Sequence, residues 1–109
     1  MGLSDGLYKV SFQTPLGIGF GVAVLNGGTL LGGDSSIYYV GNYVLDGGTI
    51  SAEITINEHS AVHGSESVLG TSRATLRLVG TAGDDSARFT GEAREAPGLA
   101  FRASLTRLR

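Results

Sequence analysis

Val24-Leu25-Asn26-Gly27-Gly28-Thr29-Leu30 returns twenty positions later as Val44-Leu45-Asp46-Gly47-Gly48-Thr49-Ile50. Each phrase is an apolar run, a short turn signal and a second apolar run. Asn-Gly and Asp-Gly are favoured where two successive residues take positive φ, as a type I′ hairpin requires. Both phrases therefore predict strand, tight turn, strand. Between them, Gly32-Gly33-Asp34-Ser35-Ser36 forms a turn-rich corner ahead of the aromatic run Ile37 to Val44.

Working outward, the same alternation recurs on both sides. Strand one, Gly6 to Thr14, sets Tyr8, Val10 and Phe12 on an inward face. Pro15-Leu16-Gly17 makes a turn, and strand two runs from Ile18 to Leu25. There Ile18, Phe20, Val22 and Val24 oppose Gly17, Gly19, Gly21 and Ala23, and the large residues, Phe20 and Val22 among them, are expected inside. The glycine row predicts either a sharp bend or a neighbouring aromatic lying across the strand. It lacks the G-x-G-x-x-G spacing and the following helix of a dinucleotide site.

Thr29 to Leu31 is a short third strand. Strand four, Ile37 to Val44, is semi-apolar on both faces, so its tyrosines Tyr38, Tyr39 and Tyr43 are candidates for a partner or dimer contact as well as for the core. Strand five, Thr49 to Asn57, directs Ile50, Ala52, Ile54 and Ile56 inward. Glu58 to Ser72 is polar, with a short strand expected at Ser67 to Leu69. Strand six runs from Arg73 to Val79 and strand seven from Ser86 to Ala93. Pro97-Gly98 turns the chain into strand eight, Leu99 to Thr106. Leu76, Leu78, Phe89, Phe101 and Leu105 complete the expected core.

Eight sequential strands and at most one short helical turn, after Asp34, describe an all-β protein. Antiparallel closure into an eight-stranded barrel removes the exposed edges of an open sheet. The 109 residues make one domain, with no cysteine to form a disulfide. No apolar stretch approaches the ~20 residues of a membrane helix, and the N-terminus has no signal-peptide pattern, which predicts a cytoplasmic protein without a membrane contact.

Candidate chemistry is sparse. Asp34, followed by Ser35-Ser36, is placed to accept backbone N–H bonds and cap a corner, or to act as a ligand or catalytic carboxylate. His59 and His63 are four apart, but no third ligand and no H-E-x-x-H pattern accompanies them, so no metal or other cofactor is expected. A triad drawn from Ser65, His59 or His63, and Asp34 has no nucleophile elbow to support it. The net charge of −2 hides an asymmetry: residues 1–72 hold one Lys against six acids, and 73–109 hold seven Arg against four. Arg77, Arg88 and Arg102 fall on outward faces and either solvate them or meet an acidic partner, a second copy or nucleic acid. Neither interleaved aromatics nor a groove-entering helix accompanies them, so direct nucleic-acid binding is not expected.

Asp5-Gly6-Leu7-Tyr8-Lys9-Val10-Ser11-Phe12, the glycine-rich second strand, and Gly32-Gly33-Asp34 followed by Tyr39 and Gly41 resemble the GrlR-like family of small bacterial regulators. The resemblance covers most of the chain, with Gly32, Gly33, Asp34 and Gly41 as its structural motif. It implies a lipocalin-like barrel that forms a homodimer, and a negative regulator of type III secretion genes that binds a transcriptional activator rather than DNA. Where that family's surface loop alternates acids, this chain has Leu45-Asp46-Gly47-Gly48, and only Asp46 corresponds. The expectation is a non-enzymatic regulatory binding protein. The alternative is a lipocalin-like binder of a small apolar ligand within the barrel.

Overall fold

The computed structural model describes residues 2–60 and 73–109. Its strands are β1 (Gly6–Thr14), β2 (Gly17–Asn26), β3 (Thr29–Gly33), β4 (Ile37–Asp46), β5 (Thr49–Glu58), β6 (Arg73–Ala82), β7 (Ser86–Ala93) and β8 (Ala96–Arg107). Each pairs antiparallel with the next, and β1 pairs with β8, so the meander closes into an eight-stranded barrel. No helix occurs among the described residues, and the corner after Asp34 is a bend. The strand expected at Ser67 to Leu69 lies outside the described residues.

The two repeated phrases make their hairpins with different turns. Asn26 pairs with Thr29, which leaves Gly27 and Gly28 as the central pair at φ 59° and 91°. Both are left-handed, as a type I′ turn needs, but the pair sits one residue beyond Asn26-Gly27. In the second phrase Asp46 pairs with Thr49, and of the two central glycines only Gly47, at φ 63°, is positive. That is the requirement of a II′ turn. In each case the threonine hydroxyl donates back across the turn, to the Asn26 carbonyl at 2.6 Å and to the Asp46 carbonyl at 2.7 Å.

Strand two faces the opposite way from its sequence expectation. Phe20 is 59% exposed and Val22 47%, with Ile18 and Val24 also outside, while Ala23 and Leu25 are buried. The cause is the register of the first hairpin. Thr14 pairs with Gly17 across a two-residue turn, Pro15-Leu16, so inward Phe12 lies opposite Gly19 and inward Val10 opposite Gly21. The space over those glycines is occupied. A methyl group on Gly19 would stand 2.5 Å from Cε2 and Cζ of Phe12, and one on Gly21 would collide with the Tyr39 hydroxyl. The glycine row therefore exists for aromatics that cross it. Phe12 is held there by Phe101, stacked at 6.3 Å and 12°, and by the edge of Tyr39 at 6.0 Å and 79°.

The last hairpin is also displaced. Ala93 pairs with Ala96 around Arg94-Glu95, and Pro97-Gly98 falls inside β8, in an irregularity of the β7 register. A proline, lacking an N–H, is tolerated at such a bulge. The Arg94-Glu95 turn is tied to β6: the Arg94 N–H donates to the Thr75 carbonyl at 2.9 Å, and the Thr75 N–H to Glu95 Oε1 at 2.7 Å. That second bond lowers the Glu95 pKa, because it favours the carboxylate.

Elsewhere the expected inward residues are inside: Tyr8, Phe12, Ile54, Ile56, Leu76, Leu78, Phe89, Phe101 and Leu105 form one buried cluster. Leu3 joins it. The Ser4 N–H reaches the Asp84 carbonyl, and the Tyr8 hydroxyl reaches the Ser4 carbonyl at 2.7 Å, which seats the N-terminal segment across one barrel mouth.

Candidate interaction surface

The Gly32-Gly33-Asp34 corner positions a carboxylate and then uses it fully. Asp34 Oδ1 accepts the N–H groups of Ser36 at 2.8 Å and Ile37 at 2.9 Å, and Oδ2 accepts the Tyr39 hydroxyl at 2.9 Å. Asp34 N–H closes the corner on the Ile37 carbonyl. This is an Asx-type cap extended by a phenol, so Asp34 fixes the start of β4. His59 meets Asp34 at the backbone: Nε2 lies 2.9 Å from the Asp34 carbonyl oxygen, which only accepts, so Nε2 carries the proton. Nδ1 lies 2.8 Å from the Ser60 hydroxyl. The carboxylate orients no described histidine. His63 and Ser65, the other members of the possible triad or metal pair, lie outside the described residues, and the described ones contain no cluster of three potential metal ligands.

The four candidate contact residues separate. Tyr39 and Tyr43 point inward, 5% and 8% exposed, which withdraws them from an outer contact. Tyr38 is outside, and Asp46 is exposed at the β4–β5 turn. Burial, the bond to Asp34 and its nearby charge push the Tyr39 pKa far above that of a free phenol. Burial also raises Tyr8 and Tyr43. Gly41, the last residue of the motif, lies so close to the Glu53 carbonyl and Ile54 on β5 that a Cβ would clash with both. Its role is packing between strands.

The interior is nearly full. The cavity among the core side chains is ≈ 50 Å³, bordered by residues such as Phe12, Tyr39, Ile54 and Phe101. An engineered apolar cavity that accepts benzene is about 150 Å³. The aromatics lying over the β2 glycines account for the difference between this barrel and a hollow one.

The outer wall is divided. On β2 the side chains of Ile18, Phe20, Val22 and Val24 project outward, joined by Leu31 on β3 and Tyr38 and Val40 on β4. Register makes them contiguous, since Val24 lies beside Leu31 and Leu31 beside Val40, while Val22 reaches Tyr38 across Gly33. These side chains, each about half exposed, present on the order of 700 Å² of surface, larger than the patch of a typical monomer. Around the wall, β5 and β6 carry Glu53 and Arg77, an ion pair at 3.4 Å, and β7 and β8 carry Arg88, Glu92 and Arg102. Sequence reasoning missed the apolar face because it placed Phe20 and Val22 inside. The signal that finds it is the length of the Pro15-Leu16 turn.

No family model matches the chain, and no curated protein matches it.

Proposed function

We propose that the protein is a non-enzymatic regulatory binding protein that works through the outside of its barrel, and that a second copy of the chain covers the β2–β4 face in a two-fold dimer. The observation that carries this reading is the contiguous apolar outer face of Ile18, Phe20, Val22, Val24, Leu31, Tyr38 and Val40. Its area, on the order of 700 Å², is close to the ~800 Å² per partner of a standard interface. Apolar side chains on one side of the wall and ion pairs on another suit a contact with one protein surface. A lipid-facing barrel needs an apolar girdle all round and is commonly polar inside. The resemblance to dimeric regulators that act by contact with an activator points the same way. Tyr38 then lies within the dimer contact, and Asp46 stays outside it, at the turn available to a regulatory partner.

The interior supports this reading rather than a carrier's, because ≈ 50 Å³ is far short of the ~300 Å³ at the lower end of small-molecule pockets. The satisfied carboxylate of Asp34 supports a structural rather than catalytic use of that residue. Sedimentation equilibrium tests the proposal. The parent chain is expected to be a dimer at micromolar concentration, and Phe20→Lys combined with Leu31→Lys a monomer with the same circular dichroism. A parent that stays monomeric at hundreds of micromolar, or a double variant that still dimerises, overturns it.

A further inference from the structure

The outer wall of β7, β8 and β1 holds two arginines, Arg88 and Arg102, that form no ion pair with a carboxylate among the described residues. Two cross-strand rows run side by side there, Thr90–Arg102–Gln13 and Arg88–Ser104–Ser11. All six side chains project outward. Arg88 and Arg102 are diagonal neighbours on adjacent strands, a spacing of about 7–8 Å between backbones that long side chains readily bridge. The short Ser104 and Ser11 beside them leave a groove of ≈ 320 Å³ between the longer ones.

Arg77 pairs with Glu53 at 3.4 Å, and Arg107 with Asp85 at 3.3 Å. Neither Arg88 nor Arg102 forms an ion pair among the described residues, in a protein whose net charge is −2. The nearest acid along β7, Glu92, accepts the Gly98 N–H at 3.1 Å in the β8 bulge. Two like charges at diagonal positions on neighbouring strands repel each other slightly, so their charge does not help to hold the barrel together.

We propose that this groove binds a phosphate monoester. Two guanidiniums match the charge of about −1.5 to −2 that such a group carries at neutral pH. Their planar donor forks suit phosphoryl oxygens, and the hydroxyls of Ser11, Ser104 and Thr90 with the Gln13 amide add donors around them. The depression is shallow and open to solvent, with room for a phosphoryl group against the strands and its carbon stem in water. The groove borders the apolar face, Ser11 beside Phe20 and Gln13 beside Ile18, but shares no side chain with it, and Arg88 and Arg102 lie on the far side of β1, so phosphate binding and dimerisation are read out by different variants.

Isothermal titration of the full chain with inorganic phosphate, glycerol phosphate, and a phosphoserine peptide beside its unphosphorylated form tests the site. Saturable binding is expected for the phosphorylated ligands. Arg88→Gln and Arg102→Gln are each expected to weaken it by about tenfold or more. Arg94→Gln, at the β7–β8 turn, is expected to leave it unchanged. The two groove variants should unfold at a denaturant concentration no lower than the parent's, because removing either charge relieves repulsion. Tighter binding of glycerol phosphate identifies a metabolite as the source, and tighter binding of the peptide a modified protein. No saturation at millimolar phosphate, an equal response to acetate, or equal weakening by Arg94→Gln overturns the proposal.

Discussion

Gly19→Ala tests the β1–β2 register directly, because the usual expectation for this exchange has the opposite sign. Glycine in a strand costs roughly 0.5–1 kcal/mol relative to alanine, so a free position would gain stability. Here the new methyl would lie 2.5 Å from two Phe12 ring carbons. Carbon atoms rest at about 3.5–4.0 Å, so the ring must retreat by about 1 Å. Phe101 stacks on that ring and Tyr39 meets it edge-on, which blocks the retreat. Overpacking of this kind costs about 1–3 kcal/mol, which leaves a net destabilisation of about 0–2.5 kcal/mol, centred near 1 kcal/mol. The assay is urea unfolding followed by circular dichroism, with the midpoint shifting at constant m-value. Phe12→Leu supplies the second arm. It destabilises by itself, yet adding Gly19→Ala to it should cost little, a coupling of at least about 1 kcal/mol. A Gly19→Ala protein as stable as its parent, or a double variant equal to the sum of the singles, would refute the placement of Phe12 over Gly19.

Phe20→Ser should change monomer stability by under about 0.5 kcal/mol, since the ring is exposed; a loss near the ~3–5 kcal/mol of a buried phenylalanine would return Phe20 to the interior. Asp34→Ala should lower stability by about 2 kcal/mol in denaturant titration, through the loss of two backbone bonds and the Tyr39 bond to a charged acceptor. Alkali should unfold the protein. Tyr8, Tyr39 and Tyr43 have folded pKa values above the ordinary 10.0, so the fold retains protons the unfolded chain would release. Their contribution is complete below pH 10 and is lost as pH rises beyond it. Phenolate absorbance from these three should appear together with loss of β-sheet signal, and Tyr39→Phe should flatten the pH dependence.

Most of the barrel is legible in the sequence because strands one and five to eight alternate large apolar with polar residues, which leaves one choice of inner face. β2 does not offer that choice. Its alternation is between large apolar residues and glycine, and period alone says which residues share a face without saying which face is inside. The decision belongs to the neighbour. A two-residue turn at Pro15-Leu16 sets Phe12 beside Gly19, whereas a three-residue turn ending at Gly17 sets Phe12 beside Phe20. One residue of slip exchanges the two faces of the strand. The same error hid the apolar outer face, and with it the candidate contact surface. Asp34 is readable as a corner cap from Ser35-Ser36, but its bond to Tyr39, five residues on, also needs the space that Gly21 on another strand leaves for the Tyr39 hydroxyl.

The seam between β1 and β8 joins Tyr8 to Arg107, positions at opposite ends of the chain. Such a contact has the largest sequence separation in the barrel and the highest loop-closure cost, so closing the cylinder is expected to come late in folding. Until then two bare rows of peptide groups face water, each able to recruit the complementary row of a neighbouring molecule. Weakening the seam would therefore yield exchanged-strand oligomers before it yielded an unfolded chain.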